Sequence, residues 1–391
     1  MGVEVRPLGV TCNIACQYCY QNPQRDAGNF GKTYDVAAMK AAIEREGGAF
    51  TLFGGEALLT ADADLEELWA WGLERYGSNG IQTNGTLITD NHVRMFKRYK
   101  VAVGISIDGP GALNDARWAG TEERTRDATA RTEAAIERLC AEGLPPSLIV
   151  TLHRVNATAD ALPPMLAWMR RLDALGVRSV RLHVLEVEDA AIRDAYALTD
   201  EENVAALLAF AGLQPELRTI RFDVFDDMRR LLVGDDRGTT CVWNACDPYT
   251  TRAVSGVEGD GRRSNCGRTN KDGIDFVKSD GEGFERYVAL YQTPQEHGGC
   301  KGCRFFMMCK GQCPGTAIDG DWRNRSEHCN TWKTLFRRFE DEMLDAGIVP
   351  VSAHPFRRRL EAMMVDGWSN GHNVAIADAI ARLRGELGSA P

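Results

Sequence analysis

No apolar run in this sequence approaches the roughly 20 residues that cross a bilayer. Its first residues, Met1-Gly-Val-Glu-Val-Arg-Pro, lack a basic start with an apolar stretch behind it, so no export signal is expected. Arg6 stands where a myristoylation signal needs Ser or Thr. Positive charge is in deficit. Lys and Arg number 46 against 55 Asp and Glu, a net charge of −9. That argues against nonspecific binding to nucleic acid or to an anionic membrane. Cysteine is scarce through the middle, where Cys140 alone lies between Cys19 and Cys241. Twelve cysteines with no export signal point to metal rather than disulfides. The expected location is the cytoplasm.

The chain of 391 residues is long enough for one large domain and a smaller one. Apolar residues make up 44% and charged residues 26%, ordinary values for a globular protein. Residues 3–8, 49–53, 80–83, 101–107, 147–152 and 180–185 read as strands. Helical spacing fills the intervals at 35–46, 90–99, 127–142 and 163–175, with 201–213 after the last. About six alternations predict a parallel α/β domain over 1–234. After about residue 235 glycine and polar residues rise and cysteines appear, which predicts a loop-rich metal domain over 235–330. A helical extension over 331–391 follows, opening with an amphipathic helix that carries Trp332, Leu335, Phe336, Phe339 and Met343. That helix is expected to pack on the α/β domain.

Cys12-Asn-Ile-Ala-Cys16-Gln-Tyr-Cys19 places three thiols on one short loop. Three ligands are one too few for a closed zinc site or a fully ligated four-iron cluster. A site left one ligand short suits a metal that must bind something else. Buried free thiols or a zinc knuckle is the plainer alternative. The pattern resembles the signature of the radical S-adenosylmethionine (SAM) enzymes. The resemblance implies an open six-stranded partial (β/α) barrel with its site at the C-terminal ends of the strands. It implies a [4Fe–4S] cluster on Cys12, Cys16 and Cys19, with SAM on the fourth iron. Tyr18 would pack near the adenine. Gly54, Gly55 and Glu56 match the family's SAM-binding motif, and Glu56 would accept bonds from the SAM ammonium. Asn84 closes the third strand in a segment that resembles the peptide-modifying branch. Ser106 and Arg117 would contact the SAM ribose or carboxylate. His153 and His183, on the fifth and sixth strands, are read as structural, and Cys140 as a small core residue.

Cys300-x2-Cys303-x5-Cys309-x3-Cys313-x15-Cys329, with Cys246-x14-Gly261-x4-Cys266 upstream, resembles the SPASM extension that carries auxiliary clusters. Two further [4Fe–4S] clusters are then implied. Cys241, Cys246, Cys266 and Cys313 would bind the first, and Cys300, Cys303, Cys309 and Cys329 the second. If Cys241 is not a ligand, the first cluster keeps an open iron. Two structural zinc sites are the alternative, because zinc also takes four cysteines. The anaerobic sulfatase maturases are similar but carry an Asp where this chain has Gly267. The reading is a radical SAM oxidoreductase that oxidises a peptide or protein side chain, with a cross-link in a ribosomal peptide as the product. The rivals are an enzyme acting on a small molecule such as an aminoglycoside, and an electron-transfer or scaffold protein without SAM chemistry. Expected partners are the peptide and flavodoxin or ferredoxin as reductant; with no room read before Cys12 for a peptide-binding domain, a leader would be held by the barrel and SPASM surfaces or by a separate leader-binding protein.

Overall fold

The computed structural model describes residues 2–28, 31, 33–187, 189–247, 249–251, 254–269, 279 and 281–388, the last two by backbone alone. The chain divides into two compact units, Met1–Phe222 with Val254–Val277, and Asp223–Ala253 with Lys278–Pro391.

The first unit is built on a nine-stranded sheet. In chain order its strands are β1 Val3–Arg6, β2 Phe50–Leu52, β3 Asn79–Thr83, β4 Val101–Ser106, β5 Ser147–Leu152, β6 Ser179–Val184, β7 Arg221–Phe222, β8 Ser255–Glu258 and β9 Arg263–Ser264. The spatial order is β7-β6-β5-β4-β3-β2-β1-β8-β9, and all neighbours are parallel except β8 and β9. The expected parallel α/β architecture is present and wider than six strands. β7 extends one edge, and β8 and β9 extend the other. Parallel strands put their C-terminal ends on one side, so the loops after Arg6, Leu52, Thr83, Ser106, Leu152 and Val184 face the same way. Apolar side chains such as Val5, Leu52, Ile81, Ile105, Val150 and Leu182 bury the sheet against its helices.

Caps set the helix ends. Asp35 accepts from Ala38 N–H before Val36–Glu46, and Thr199 and Glu202 form a capping box before Asp200–Leu213. The helix expected at 127–142 is Glu122–Ala141. Its first turns face the core with Thr125, Thr129 and Thr132, so no apolar rhythm marks them. Each of these hydroxyls bonds the carbonyl four residues back.

The chain returns to the first unit at Val254 because β8 pairs with β1 over Val3–Arg6. This differs from the division expected at 234/235. No helix among the described residues is long and apolar enough to cross a membrane.

The second unit is loop-rich between its first helix, Asp223–Leu232, and the later Cys329–Asp345, Arg357–Ser369 and Ile376–Gly388. Its core is aromatic. Trp243 meets Trp332 and Phe336 edge-on at 5.6 and 5.5 Å, and Phe305 stacks on Phe336 at 5.4 Å. Trp332, Leu335, Phe336 and Phe339 are buried, and Met343 is half-buried. This helix meets the unit's own first helix, where Phe225 and Phe339 pack edge-on at 5.9 Å. Asp236 accepts from Ile376 N–H at 2.9 Å and fixes the start of the last helix.

Candidate functional site

A cavity of about 180 Å³ opens at the C-terminal ends of the strands in the first unit. Cys12, Cys16 and Cys19 line it together with Tyr18, Gly54, Gly55, Asn84, Ser106 and Arg117. The structure therefore brings together the residues expected for this site except Glu56, which lies behind the wall.

The cysteine loop is held from two sides. Ala15 and Gln17 N–H donate to the carbonyls of Trp118 and Ala116 at 2.7 and 2.9 Å. These two bonds bracket Cys16 on one segment and Arg117 on the other, so the thiol and the guanidinium stand against the same wall. On the other side, Gly55 N–H donates to Gly9 O and Glu56 N–H to Thr11 O, both at 2.9 Å. The glycines owe their places to this contact. Gly54 sits at φ +122°, and a Cβ on Gly55 would stand 2.1 Å from the Thr11 carbonyl oxygen. That atom is backbone and cannot swing aside. Gly55→Ala is therefore expected to separate the two loops, lower the unfolding free energy by roughly 1–3 kcal/mol and reduce bound iron. Urea unfolding and iron analysis read the two effects. An unchanged midpoint and iron content would overturn this account.

Glu56 was expected to meet a ligand. Its carboxylate accepts from Leu58 N–H at 2.9 Å, Thr83 Oγ1 at 2.7 Å and Asn84 N–H at 2.8 Å. Burial raises its pKa, and these three bonds oppose the rise. It acts as a brace that fixes the end of β3. Asn84 so placed donates to Asn13 Oδ1 at 2.8 Å and approaches Cys12 Sγ at 3.9 Å. Ser106 Oγ accepts from Gln82 Nε2 at 2.8 Å.

Behind the cysteines lies an ionic network that joins Tyr18, Arg117 and the histidine read as structural, His153, to Asp108. Asp108 and His153 are both fully buried. Asp108 Oδ2 accepts from the Tyr18 hydroxyl and faces His153 Nε2 at 3.4 Å, and Oδ1 accepts from Thr151 N–H at 2.9 Å. His153 Nδ1 accepts from Val155 N–H at 3.3 Å, so its proton lies on Nε2 and points to Asp108. Arg117 donates to the Tyr18 hydroxyl at 3.3 Å. Burial alone would raise the Asp108 pKa, but the His153 bond, Arg117 and the Tyr18 bond outweigh it and hold the carboxylate below its ordinary range.

The far wall carries three residues that no motif announced. Arg268 pairs with Glu186 at 2.9 Å and donates to His183 Nδ1. Burial, then Arg268 and Arg181, push His183 well below its ordinary pKa, so it is neutral. Glu186 is the only carboxylate among the cavity's described lining residues. A Cβ on the neighbouring Gly267 would meet the Tyr20 ring at 3.1 Å, a tight contact with a side chain.

The three thiols fit an iron–sulfur group. Burial, then Cys19 and Cys12 beside it, push the Cys16 thiol up to about 12, with Arg117 opposing. Thiols that crowd one another this way ionise together only when a cationic group joins them. Arg25 Nη2 donates to Cys19 Sγ at 2.9 Å, and its Nε donates to Val10 O. Among the described residues no three His, Cys, Asp or Glu form a site for a single ion.

In the second unit Cys300, Cys303, Cys309 and Cys329 line one small cavity. Between Cys309 and Cys313 three successive residues, Lys310, Gly311 and Gln312, take positive φ values of 49°, 75° and 62°. This reversal is costly for the two that are not glycine. The remaining cysteines are divided. Cys241, Cys246 and Cys313 belong to the second unit and Cys266 to the first. Cys140 is half-buried on the helix Glu122–Ala141.

Residues 7–162 match the model of the radical SAM superfamily. The chain is 31% identical over 212 residues to a serine-type anaerobic sulfatase-maturating enzyme of Klebsiella aerogenes, covering 50% of each protein. It is 28% identical over 131 residues to a cysteine-type anaerobic sulfatase-maturating enzyme of Clostridium perfringens, covering 29% of this chain and 35% of that one. It thus spans about half the length, or less, of these relatives. The structure of anSMEcpe with bound AdoMet and Cp18Cys peptide superposes with a TM-score of 0.65 at 19% identity, covering 88% of this chain and 98% of that one. This last likeness is one of fold.

Proposed function

Residues 7–162 form a radical SAM domain homologous to the anaerobic sulfatase-maturating enzymes, and from that premise we propose that the protein is an enzyme that cleaves SAM reductively and oxidises a side chain of a peptide or protein. The observation that carries the proposal is the convergence of Cys12, Cys16 and Cys19 on one cavity with groups from three successive strand ends. When bound, the [4Fe–4S] cluster and SAM supply the electron and the 5′-deoxyadenosyl radical. The chain supplies orientation. Arg117, cationic and anchored by Tyr18, binds the SAM carboxylate. Ser106, set by Gln82, meets the ribose, and the ring of Tyr18 closes the side toward the adenine. Glu56 contributes through Thr83 and Asn84. Glu186, held by Arg268, is the group placed to take a proton from the substrate.

The eight cysteines after residue 240 hold two auxiliary clusters in a SPASM-type domain, with Cys300, Cys303, Cys309 and Cys329 as one complete set. Auxiliary clusters that accept an electron favour an oxidised product, and a cross-link in a ribosomally made peptide is the form proposed. Gly267 supports this over sulfatase maturation, because the position carries no carboxylate. The enzyme works in the cytoplasm, with flavodoxin or ferredoxin as reductant and a separate leader-binding protein.

Anaerobic reconstitution is expected to give about twelve irons and no zinc per chain. With dithionite and SAM the sample forms 5′-deoxyadenosine, and a peptide substrate leaves two hydrogens lighter by mass spectrometry. Turnover of aminoglycosides with peptides untouched would overturn the substrate class. Iron without SAM cleavage would overturn the enzyme reading.

A further inference from the structure

Trp332 is 5% exposed, yet among the described residues its indole Nε1–H has no hydrogen-bond partner. A buried N–H left unpaired costs roughly 1–3 kcal/mol, so such a donor normally has an acceptor in the working protein. Trp332 lines the same small cavity as Cys300, Cys303, Cys309 and Cys329. It sits one turn after Cys329 on the helix Cys329–Asp345. Side chains three apart share a helix face, and helical side chains lean toward the N-terminus, which brings this indole toward the Cys329 side of the cavity.

The surroundings agree in sign. No side chain caps this helix, so its N-terminal N–H groups add partial positive charge beside Cys329. Arg325 lines the same cavity. Arg325 bonds the carbonyls of Gly299 and Gln295, at 3.1 Å each. Arg286 bonds the carbonyls of Trp322 and Asn324, at 2.6 and 2.9 Å. Both cations are thus held by backbone carbonyls, which leave their charge in place.

We infer that the Trp332 indole N–H donates to the group held by these four cysteines and raises the potential at which that group takes up an electron. The inference rests on reading the four cysteines as an iron–sulfur site. A hydrogen bond to cluster sulfur stabilises the more negative, reduced state. Trp332 is then a positioning residue that makes this site the electron-accepting end of the protein.

The test uses the full chain, reconstituted without oxygen and carrying ¹⁵N-indole tryptophan. After dithionite reduction, pulsed electron–nuclear spectroscopy is expected to show a ¹⁵N coupling on one cluster signal. Trp332→Phe keeps a ring against Trp243 and removes the coupling, whereas Trp243→Phe retains it. In Trp332→Phe the reduced-to-oxidised ratio of that signal at a fixed potential falls about tenfold, equivalent to about 59 mV for one electron. About twelve irons with no tryptophan coupling, or with a coupling that survives Trp332→Phe, overturns the inference alone. This wild-type arm holds even if the variant does not fold. About eight irons with zinc at this site overturns the iron–sulfur reading and the inference with it.

Discussion

Cys16→Ala is expected to reduce 5′-deoxyadenosine formation to background and to lower bound iron from about twelve to about eight per chain. Cys16 is the middle thiol of the three and is buried. It is bracketed by the two backbone bonds from Ala15 and Gln17 to the 116–118 segment. Among the described residues the only other cysteines lining the cavity are Cys12 and Cys19, which already belong to the set. Two thiols cannot hold a cluster that already lacks a fourth protein ligand. Because the auxiliary cysteines are untouched, their iron should remain. Cys140→Ala is the matching control and should leave both readouts unchanged, since Cys140 lies on the helix Glu122–Ala141 away from the cavity lining. SAM cleavage above background in Cys16→Ala would remove the central claim about this site.

Asp108→Ala carries the second large effect, on stability. The substitution leaves Tyr18, His153 and Arg117 facing a void in place of a carboxylate, with His153 fully buried and Arg117 half-buried at the cavity wall. Removing one partner of a buried charged network costs roughly 3–5 kcal/mol, because the others stay desolvated and unpaired. The pH dependence follows from the direction of the shift. Asp108 is held below its ordinary pKa in the folded protein, so the unfolded chain binds its proton more readily. The stability from Asp108 is therefore fully present above about pH 4, its unfolded value, and is lost as pH falls through the lower folded value. Urea unfolding of wild type and Asp108→Ala, both without cluster, should differ by this amount at pH 7. The gap should close only in acid. A difference under about 1 kcal/mol at pH 7 would show that the network holds nothing together.

Much of this was legible because it is local. Three thiols within eight residues are close in any fold, so Cys12, Cys16 and Cys19 could be singled out from spacing. Strand and helix alternation was legible because apolar periodicity tracks burial, and β5 at Ser147–Leu152 falls where its pattern places it. The early turns of Glu122–Ala141 were hidden because their core face is threonine, whose hydroxyls are satisfied by the helix's own carbonyls. β8 was hidden because a four-residue Ser-Gly-Val-Glu strand becomes one only when β1, some 250 residues away, lies beside it.

The sequence by itself determined the donor types and the places where they cluster, because thiol chemistry needs no tertiary context to be recognised. Tertiary structure alone decided which groups face the cavity. It made Glu56 a brace, with its carboxylate accepting from Leu58, Thr83 and Asn84. It brought Asp108, His153, Tyr18 and Arg117 into one buried network from four separate segments. It set Arg268 against Glu186 and His183 across 82 and 85 positions of chain, counted from the residue numbers. Contacts of that range are made by packing, and no pattern along the chain encodes them.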